Sequence, residues 1–331
     1  MLLPAIGVAG QEKLSQARVV VIGVGALGTV LASGVVRAGV GYVRLVDRDF
    51  IEDHNLQRQL LFDEDDIAAN LPKAVAAARK LRRANSQVTV EPVVADVNPD
   101  NVEAFIADCD LVLDGSDNFE VRMLLNDACL KHRRPWIYGA AIATYGMTMP
   151  FIPGDGPCFR CMLPDLPTPG STDTCDTAGV LGTIPQVIAA LQVTEALKLL
   201  TGHPEALCRD LRYLDLWTAD VVRVRLEKRE TPCPACDEGR YEFLEAQAGS
   251  WATTLCGRDA IQVKVRGAPR LDFPRLAERL RAAGQVTFNE YLLRLRVDDY
   301  ELTLFPDGRA IIYGCSEPTL ARALYARYVG A

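Results

Sequence analysis

The sequence predicts an α/β protein, with a Rossmann-like, mostly parallel sheet, flanking helices and a four-cysteine site, followed by a small C-terminal α+β module. Three observations carry that expectation. A short β-branched run, Ala17 to Ile22, leads into Gly23-Val24-Gly25-Ala26-Leu27-Gly28, and an acid, Asp47, stands nineteen residues beyond the third glycine. Strand-like and helix-like segments then alternate, which is the pattern of a parallel sheet covered on both faces. Finally, Cys158-Phe-Arg-Cys161 and Cys233-Pro-Ala-Cys236 form two CxxC pairs, each spaced to let two thiolates bind one zinc ion.

In chain order, Ala17–Ile22 reads as a buried parallel strand and the glycines open a helix reaching Ala38. A second strand runs from Tyr42 to Val46. A helix (73–83), a strand (88–94), a helix (99–107), a strand (110–114), a helix (119–131) and a strand (136–140) follow. Val180 to Leu200 reads as a long apolar helix with Pro185 near its start and with Glu195 and Lys198 facing solvent. After Glu238 come a strand at Ile261–Val265, an amphipathic helix at Phe273–Ala283, one strand from Val286 to Val297, a hairpin (300–305 and 310–313) and a helix from Glu317 to Tyr328 capped by Ser316. The expected division is residues 1–240 and 245–331, in keeping with about one domain per 150 residues.

Composition narrows the class. Of the 331 residues, 49% are hydrophobic and 24% charged, which excludes a disordered or low-complexity chain, and the net charge of −7 argues against a nucleic-acid platform. Val19 to Val36 is uncharged, but its glycines and β-branched start fit a buried strand and helix rather than a membrane span. No secretory leader is recognisable at Met1, so a cytoplasmic protein is expected and the ten cysteines are read as ligands, nucleophiles or core residues before disulfides.

Ligands of such sheets gather at the carboxyl ends of the strands. There the chain carries Asp47-Arg48-Asp49, then His54-Asn55-Leu56-Gln57-Arg58-Gln59, and, after the fourth strand, Asp114-Gly-Ser-Asp117-Asn118. Glycines let backbone approach phosphate at a helix N-terminus. Arg58 can fork onto phosphate oxygens, Lys73 supplies a point charge, and Asp117 offers oxygen to Mg²⁺. A nicotinamide oxidoreductase would share the glycines and Asp47 but has no use for that combination, whereas a triphosphate has. The two CxxC pairs together complete a structural zinc site, Cys158, Cys161, Cys233 and Cys236, rather than a redox pair. Between them, Pro164 to Gly179 is a polar crossover that places Cys175 where a cysteine is out of place as a core residue.

Taken together, Gly23-x-Gly25-x-x-Gly28, Asp47-x-Asp49, Asn55-Leu-x-Arg58-Gln59, Lys73, Asp114-x-x-Asp117-Asn118, the paired CxxC knuckles and Cys175-x-x-x-Gly179-Val-Leu-Gly182 resemble the ThiF/MoeB/HesA branch of ubiquitin-activating-type adenylyltransferases, over about Leu3 to Glu238. The resemblance implies a homodimer that uses ATP, Mg²⁺ and a structural Zn²⁺ to adenylate the C-terminal glycine of a small ubiquitin-fold sulfur carrier. It places Gly23, Gly25, Ala26, Gly28, Asp47, Asp49, His54, Asn55, Leu56, Gln57, Arg58, Gln59, Lys73, Asp117 and Asn118 around the nucleotide. Within that set Asp47 would hold the ribose, Asn55, Arg58 and Lys73 the phosphates, Asp117 the metal, and Cys175 would be the crossover-loop thiol.

Two departures from the family pattern are expected to matter differently. The chain starts at Met1-Leu-Leu-Pro4-Ala-Ile-Gly7, without the arginine-containing segment that usually precedes this region, so either the start is assigned late, activity is reduced, or another cation such as Arg18 or Arg48 serves. Ala26, where glycine is common, is expected to be tolerated. A scaffold that only binds a ubiquitin-like partner is the non-enzymatic rival. In the tail, Cys315 is expected to be a small packed cysteine rather than a persulfide carrier, and Cys256 shares the ambiguity. Cys109, Cys129 and Cys208 are expected to be packing residues.

Overall fold

The computed structural model describes residues 3–166, 178–228, 231–245, 251–254, 260–264 and 270–329. The chain divides into two compact units, residues 1–246 and 247–331. Cys175 and Cys256 lie outside the described residues.

The first unit is organised by β1 (Arg18–Ile22), whose Val19, Val20 and Val21 have no exposed surface. Such a β-branched run, buried on both faces, is what the centre of a parallel sheet requires. β2 (Tyr42–Asp47) and β4 (Leu111–Asp114) flank it in parallel, with Val20 in register with Arg44 on one side and Val112 on the other. β3 (Thr89–Val94) and β5 (Trp136–Ile142) extend the parallel part, and β6 (Tyr145–Phe151), β7 (Leu211–Asp215) and β8 (Asp220–Val224) add an antiparallel part, in the order β3-β2-β1-β4-β5-β6-β7-β8. The connections leave β1 towards β2 and return to β4, so the strand order reverses between β1 and β4. In open α/β sheets that reversal opens a crevice at the carboxyl ends of the strands.

Helices cover both faces. Ala26–Ala38 starts directly after Gly25 and stops at Gly39, which takes the left-handed conformation that a helix C-terminus favours. It packs closely on Thr183–Thr201, since a β-carbon on Gly34 would come within 2.8 Å of Val193. The long helix begins at Thr183, which puts Pro185 in its first turn, where the missing N–H costs nothing. Its last turns differ from the sequence expectation. Glu195 is fully buried rather than solvent-facing, and it accepts from the Cys208 amide at 2.9 Å and pairs with Lys198 at 3.0 Å and Arg212 of β7 at 3.1 Å. A buried carboxylate needs such partners, here a cation one turn along the helix and another from a neighbouring strand. The helix Gly7–Gln16 and strands β6, β7 and β8 were not anticipated from sequence, and the expected helix at 99–107 shortens to Val102–Ile106 because Asn98 and Asn101 form a side-chain-bonded turn before it.

The second unit is a six-stranded antiparallel sheet, β11-β12-β13-β14-β10-β9, from β9 (Trp251–Thr254), β10 (Ala260–Lys264), β11 (Gln285–Phe288), β12 (Leu293–Val297), β13 (Tyr300–Leu304) and β14 (Ala310–Tyr313). Helices Phe273–Leu280 and Pro318–Tyr328 pack on its Leu293, Leu295, Leu302 and Ile312 side. The single strand expected over 286–297 is instead the hairpin β11–β12. Asn289 turns it by accepting the amides of Tyr291 and Leu292, a turn without glycine or proline. Ser316 does not cap the last helix, which begins at Pro318 with Glu317 in the cap position. Cys315 is buried in this core as expected, its thiol donating to the Glu317 carbonyl. No described helix is long and apolar enough to cross a membrane.

Candidate active site

The crevice is lined by five short segments that the sheet brings to one edge. Gly23 ends β1 with φ +83° and its amide donates to the Val46 carbonyl at 2.8 Å. Each glycine has its own reason. A β-carbon on Gly23 would lie 2.7 Å from the Gly115 carbonyl oxygen, and one on Gly28 would lie 1.9 Å from that of Gly23. On Gly25 it would meet only the Gln59 amide nitrogen at 3.8 Å, so that face of the turn is open. Ala26 is the first residue of the helix and is half-buried, a position with no demand for glycine.

Asp47, at the end of β2, is buried and accepts the Val24 amide at 2.6 Å and the Asp49 amide at 2.7 Å. Its carboxylate thus braces the glycine turn from below. Burial pushes its pKa up, and the Lys73 ammonium pulls the other way. Lys73 opens the helix Lys73–Ala84, is almost entirely buried, and reaches Asp49 at 3.2 Å. Arg48 pairs with Asp96 at 2.9 Å and lies 3.7 Å from Asp49, and Asp117 is among the charges that hold it protonated. Arg18, the other cation considered for the missing arginine, starts β1 at the end opposite the glycines and is engaged by Asp108. It stands at the far end of the strand from this chain's crevice, and of the two Arg48 is the one beside it.

The segment Glu52–Gln59 turns through a short 3-10 helix at Asp53–Asn55, closed by reciprocal hydrogen bonds between Glu52 and Asn55. Asn55 and Gln59 are buried, and the Asn55 amide nitrogen and Gln59 amide oxygen lack a hydrogen-bond partner. An unmet donor inside the protein costs about 1–3 kcal/mol unless a ligand satisfies it. Arg58 is half-buried with its guanidinium on the His54 carbonyl at 2.8 Å; Leu56 is half-buried, while His54 and Gln57 are exposed. After β4, Asp117 is exposed and Asn118 caps the helix Phe119–Lys131 by accepting the Val121 amide at 2.9 Å. Cation, unmet amide donor and open glycine face suit a polyphosphate, and an exposed carboxylate beside them suits a hard divalent cation.

Sequence reasoning missed two residues beneath this edge. Arg122 is buried and donates to Asp114 at 3.1 Å, to the Ser116 carbonyl at 2.7 Å and to the Gly139 carbonyl at 3.1 Å. Gln192, buried in the long helix, donates to the carbonyls of Asp114 at 2.9 Å and Ile137 at 3.0 Å. The available signal was a lone amide in the middle of an otherwise apolar run.

Away from the crevice, Cys158, Cys161, Cys233 and Cys236 converge, their sulfurs all within 4.8 Å of one another. Neighbouring sulfurs are 3.6, 3.7 and 3.9 Å apart. That is too far for disulfides, and it is the edge length, about 3.8 Å, of a tetrahedron with Zn–S bonds of about 2.3 Å. The hydrogen bond between Cys158 and Cys161 pulls the Cys161 pKa down to about 5 and pushes that of Cys158 up, while burial pushes Cys236 up to about 12. Phe159, between the first two cysteines, is fully buried against Trp136 and Phe151, and its amide is taken by Asn126, which fastens the knuckle to the sheet. Cys109 and Cys129 are buried core residues, and Cys208 is half-buried against Asp210.

A profile of the ThiF family matches residues 1–235. The chain belongs to the ThiF family. Its ThiF relatives include the sulfur carrier protein ThiS adenylyltransferase of Bacillus subtilis (strain 168), 43% identical over 99% of this chain and 97% of that one, so that likeness extends through the second unit. The SAMP-activating enzyme E1 of Haloferax volcanii is 40% identical over 74% of this chain and 89% of its own. Among solved structures, E. coli MccB with ATP superposes with a TM-score of 0.60 over 70% of each chain at 22% identity, a likeness of fold.

Proposed function

We propose that this ThiF-family chain is an ATP-dependent adenylyltransferase that activates the C-terminal glycine carboxylate of a ubiquitin-fold sulfur carrier of the ThiS or MoaD type as an acyl-adenylate. The observation that carries the reading is the 43% identity to a sulfur carrier protein ThiS adenylyltransferase along nearly the whole chain. The crevice supports it, because its open glycine face, buried Lys73 and unmet Asn55 donor fit a triphosphate. In this reading Gly23, Gly25, Ala26 and Gly28 form the phosphate-facing turn, Asp47 and Asp49 border the ribose, and Asn55, Arg58 and Lys73 hold phosphates. His54, Leu56, Gln57, Gln59 and Asn118 complete the surround, and Asp117 binds Mg²⁺.

The chemistry needs no general base. A C-terminal carboxylate with a pKa near 3.5 is ionised at neutral pH, so its oxygen attacks the α-phosphorus directly, forming the acyl–phosphate bond as the bond to the β-phosphate oxygen breaks. Pyrophosphate leaves carrying charge that Lys73 and Arg58 would stabilise, and Mg²⁺ at Asp117 would neutralise the rest. The four cysteines would hold Zn²⁺ as a staple without a catalytic role. Cys175 would act as the crossover-loop thiol, and the protein would work as a cytoplasmic homodimer, with residues 1–240 as the adenylation domain.

Carrier-dependent ATP–pyrophosphate exchange tests the reading. Exchange should require the carrier's C-terminal glycine and vanish in Asp117→Ala while carrier binding persists. Exchange without carrier, or none with ThiS- and MoaD-type carriers, would overturn it.

A further inference from the structure

The loop that carries Asp117 is three residues long, between buried Asp114 and the helix-capping Asn118, and its backbone is pinned on both sides. The Gly115 amide donates to the Ile22 carbonyl at 2.8 Å. The Ser116 amide and hydroxyl donate to Asp114 at 2.9 and 2.6 Å. The carbonyls of Asp114 and Ser116 are taken from beneath. Arg122 grips the Ser116 carbonyl together with the Asp114 carboxylate and the Gly139 carbonyl of β5, and Gln192 grips the Asp114 carbonyl together with the Ile137 carbonyl of β5. Two side chains from two different helices thus tie one loop to the neighbouring strand.

Two further observations show that the tie is specific. Gly139 leaves the space Gln192 occupies, for a β-carbon there would stand 2.3 Å from the Gln192 amide oxygen. The Asp114–Arg122 pair is fully desolvated, with side chains 0% and 5% exposed. A buried ion pair of this kind contributes little net stability over an apolar pair of the same volume, so stability alone is a weak reason for it. What it does supply is a planar fork with donors at fixed angles.

We propose that Arg122 and Gln192 are positioning residues that set the direction of the Asp117 carboxylate towards the metal-bound triphosphate. Neither touches the nucleotide. Both act through the main chain of Asp114–Ser116, and because Gly115 lies against Gly23, the same clamp fixes the distance between the Asp117 loop and the glycine turn. The inference rests on the reading of Asp117 as the magnesium ligand.

Arg122→Lys keeps the charge opposite Asp114 but loses the fork, and Gln192→Met keeps the shape but loses both donors. For each, the Mg²⁺ concentration giving half-maximal ATP–pyrophosphate exchange would be measured at saturating ATP and carrier. ATP affinity without divalent metal and the thermal midpoint would be measured beside it. The expected result is a rise of about tenfold in half-saturating Mg²⁺, with metal-free ATP affinity within about twofold of the parent, as befits loss of one well-aimed charge-assisted contact. A merely structural role would lower the thermal midpoint and the active fraction while leaving half-saturation unmoved, and that result in Gln192→Met overturns the proposal even where Arg122→Lys fails to fold. Asp117→Ala separates the two levels. If it exchanges like the parent, the reading of the metal site falls; if it is inactive while both other variants keep parental magnesium dependence, only the positioning role falls.

Discussion

Gly25→Ala separates a glycine kept for ligand approach from one kept for packing. The three glycines of a nucleotide-binding turn serve a tight turn, close approach of phosphate, and close helix–strand packing. Here a methyl on Gly25 has room, since a β-carbon would touch nothing closer than the Gln59 amide at 3.8 Å, but the φ −88° and ψ −142° of this residue lie outside the regions open to L-residues. Alanine there strains the backbone by about 1–3 kcal/mol, offset by about 0.4–1 kcal/mol from the restricted unfolded chain. A net loss of about 1–2 kcal/mol lowers the thermal midpoint by about 2–8 °C for a unit of this size. The same methyl stands on the face offered to phosphate and displaces it by about 1 Å or more, which is worth about 100-fold in rate. Exchange should thus fall well beyond what the stability loss explains, with the midpoint down by no more than about 8 °C and kcat/KM for ATP of the folded protein down about 100-fold. Gly28→Ala is the contrast, because its β-carbon would fall 1.9 Å from the Gly23 carbonyl oxygen and the fold itself should be lost with the activity. Parental exchange in Gly25→Ala, or a loss of stability as large as that of Gly28→Ala, would refute the assignment of that glycine to phosphate approach.

Other predictions concern the rest of the first unit. Cys233→Ser should take bound zinc, measured by atomic emission, from about one per chain to near zero, and should lower unfolding free energy by several kcal/mol, because a closed site of four thiolates returns its binding energy as folding energy; a full zinc complement in the variant would exclude the site. Asp127, buried and accepting the Phe243 amide at 2.9 Å, has its pKa raised to about 6 by burial. Its stability contribution is therefore fully present below about pH 4 and lost as pH rises through 6, a change of about 3 kcal/mol. Asp127→Asn should flatten that slope in urea titrations from pH 4 to 8 and be the more stable protein above pH 6, and an unaltered slope would show that Asp127 does not titrate there.

The parts legible from sequence are those whose physics is local. A β-branched strand, a glycine turn and an acid at fixed spacing come from one βαβ unit, so residues 17 to 47 could be placed without knowing the rest of the fold. CxxC spacing is equally local, and two such pairs needed only to find one another. What could not be read depends on partners far along the chain. Glu195 lies on a helix that is apolar nearly all round, and beside Lys198 on the same helix its burial depends on Arg212 of β7 and the Cys208 amide, both far along the chain. Strand β8 is exposed at every position, so it lacks the alternation that would announce it. The β11–β12 turn uses the Asn289 side chain in place of glycine or proline, which let two strands read as one. Arg122 and Gln192 acquire meaning only once β5 is laid beside β4.

Gly23 and Gly115 stand back to back with carbonyls where any side chain would have to go. Neither position can drift without the other, because a substitution at either must push the opposite loop away. Mutational libraries aimed at new nucleotide or metal preferences would waste diversity there, and a gain at one loop would arrive with a displacement of its neighbour. The variable ground is the exposed surface of His54 and Gln57, which belongs to the same site without that reciprocal constraint.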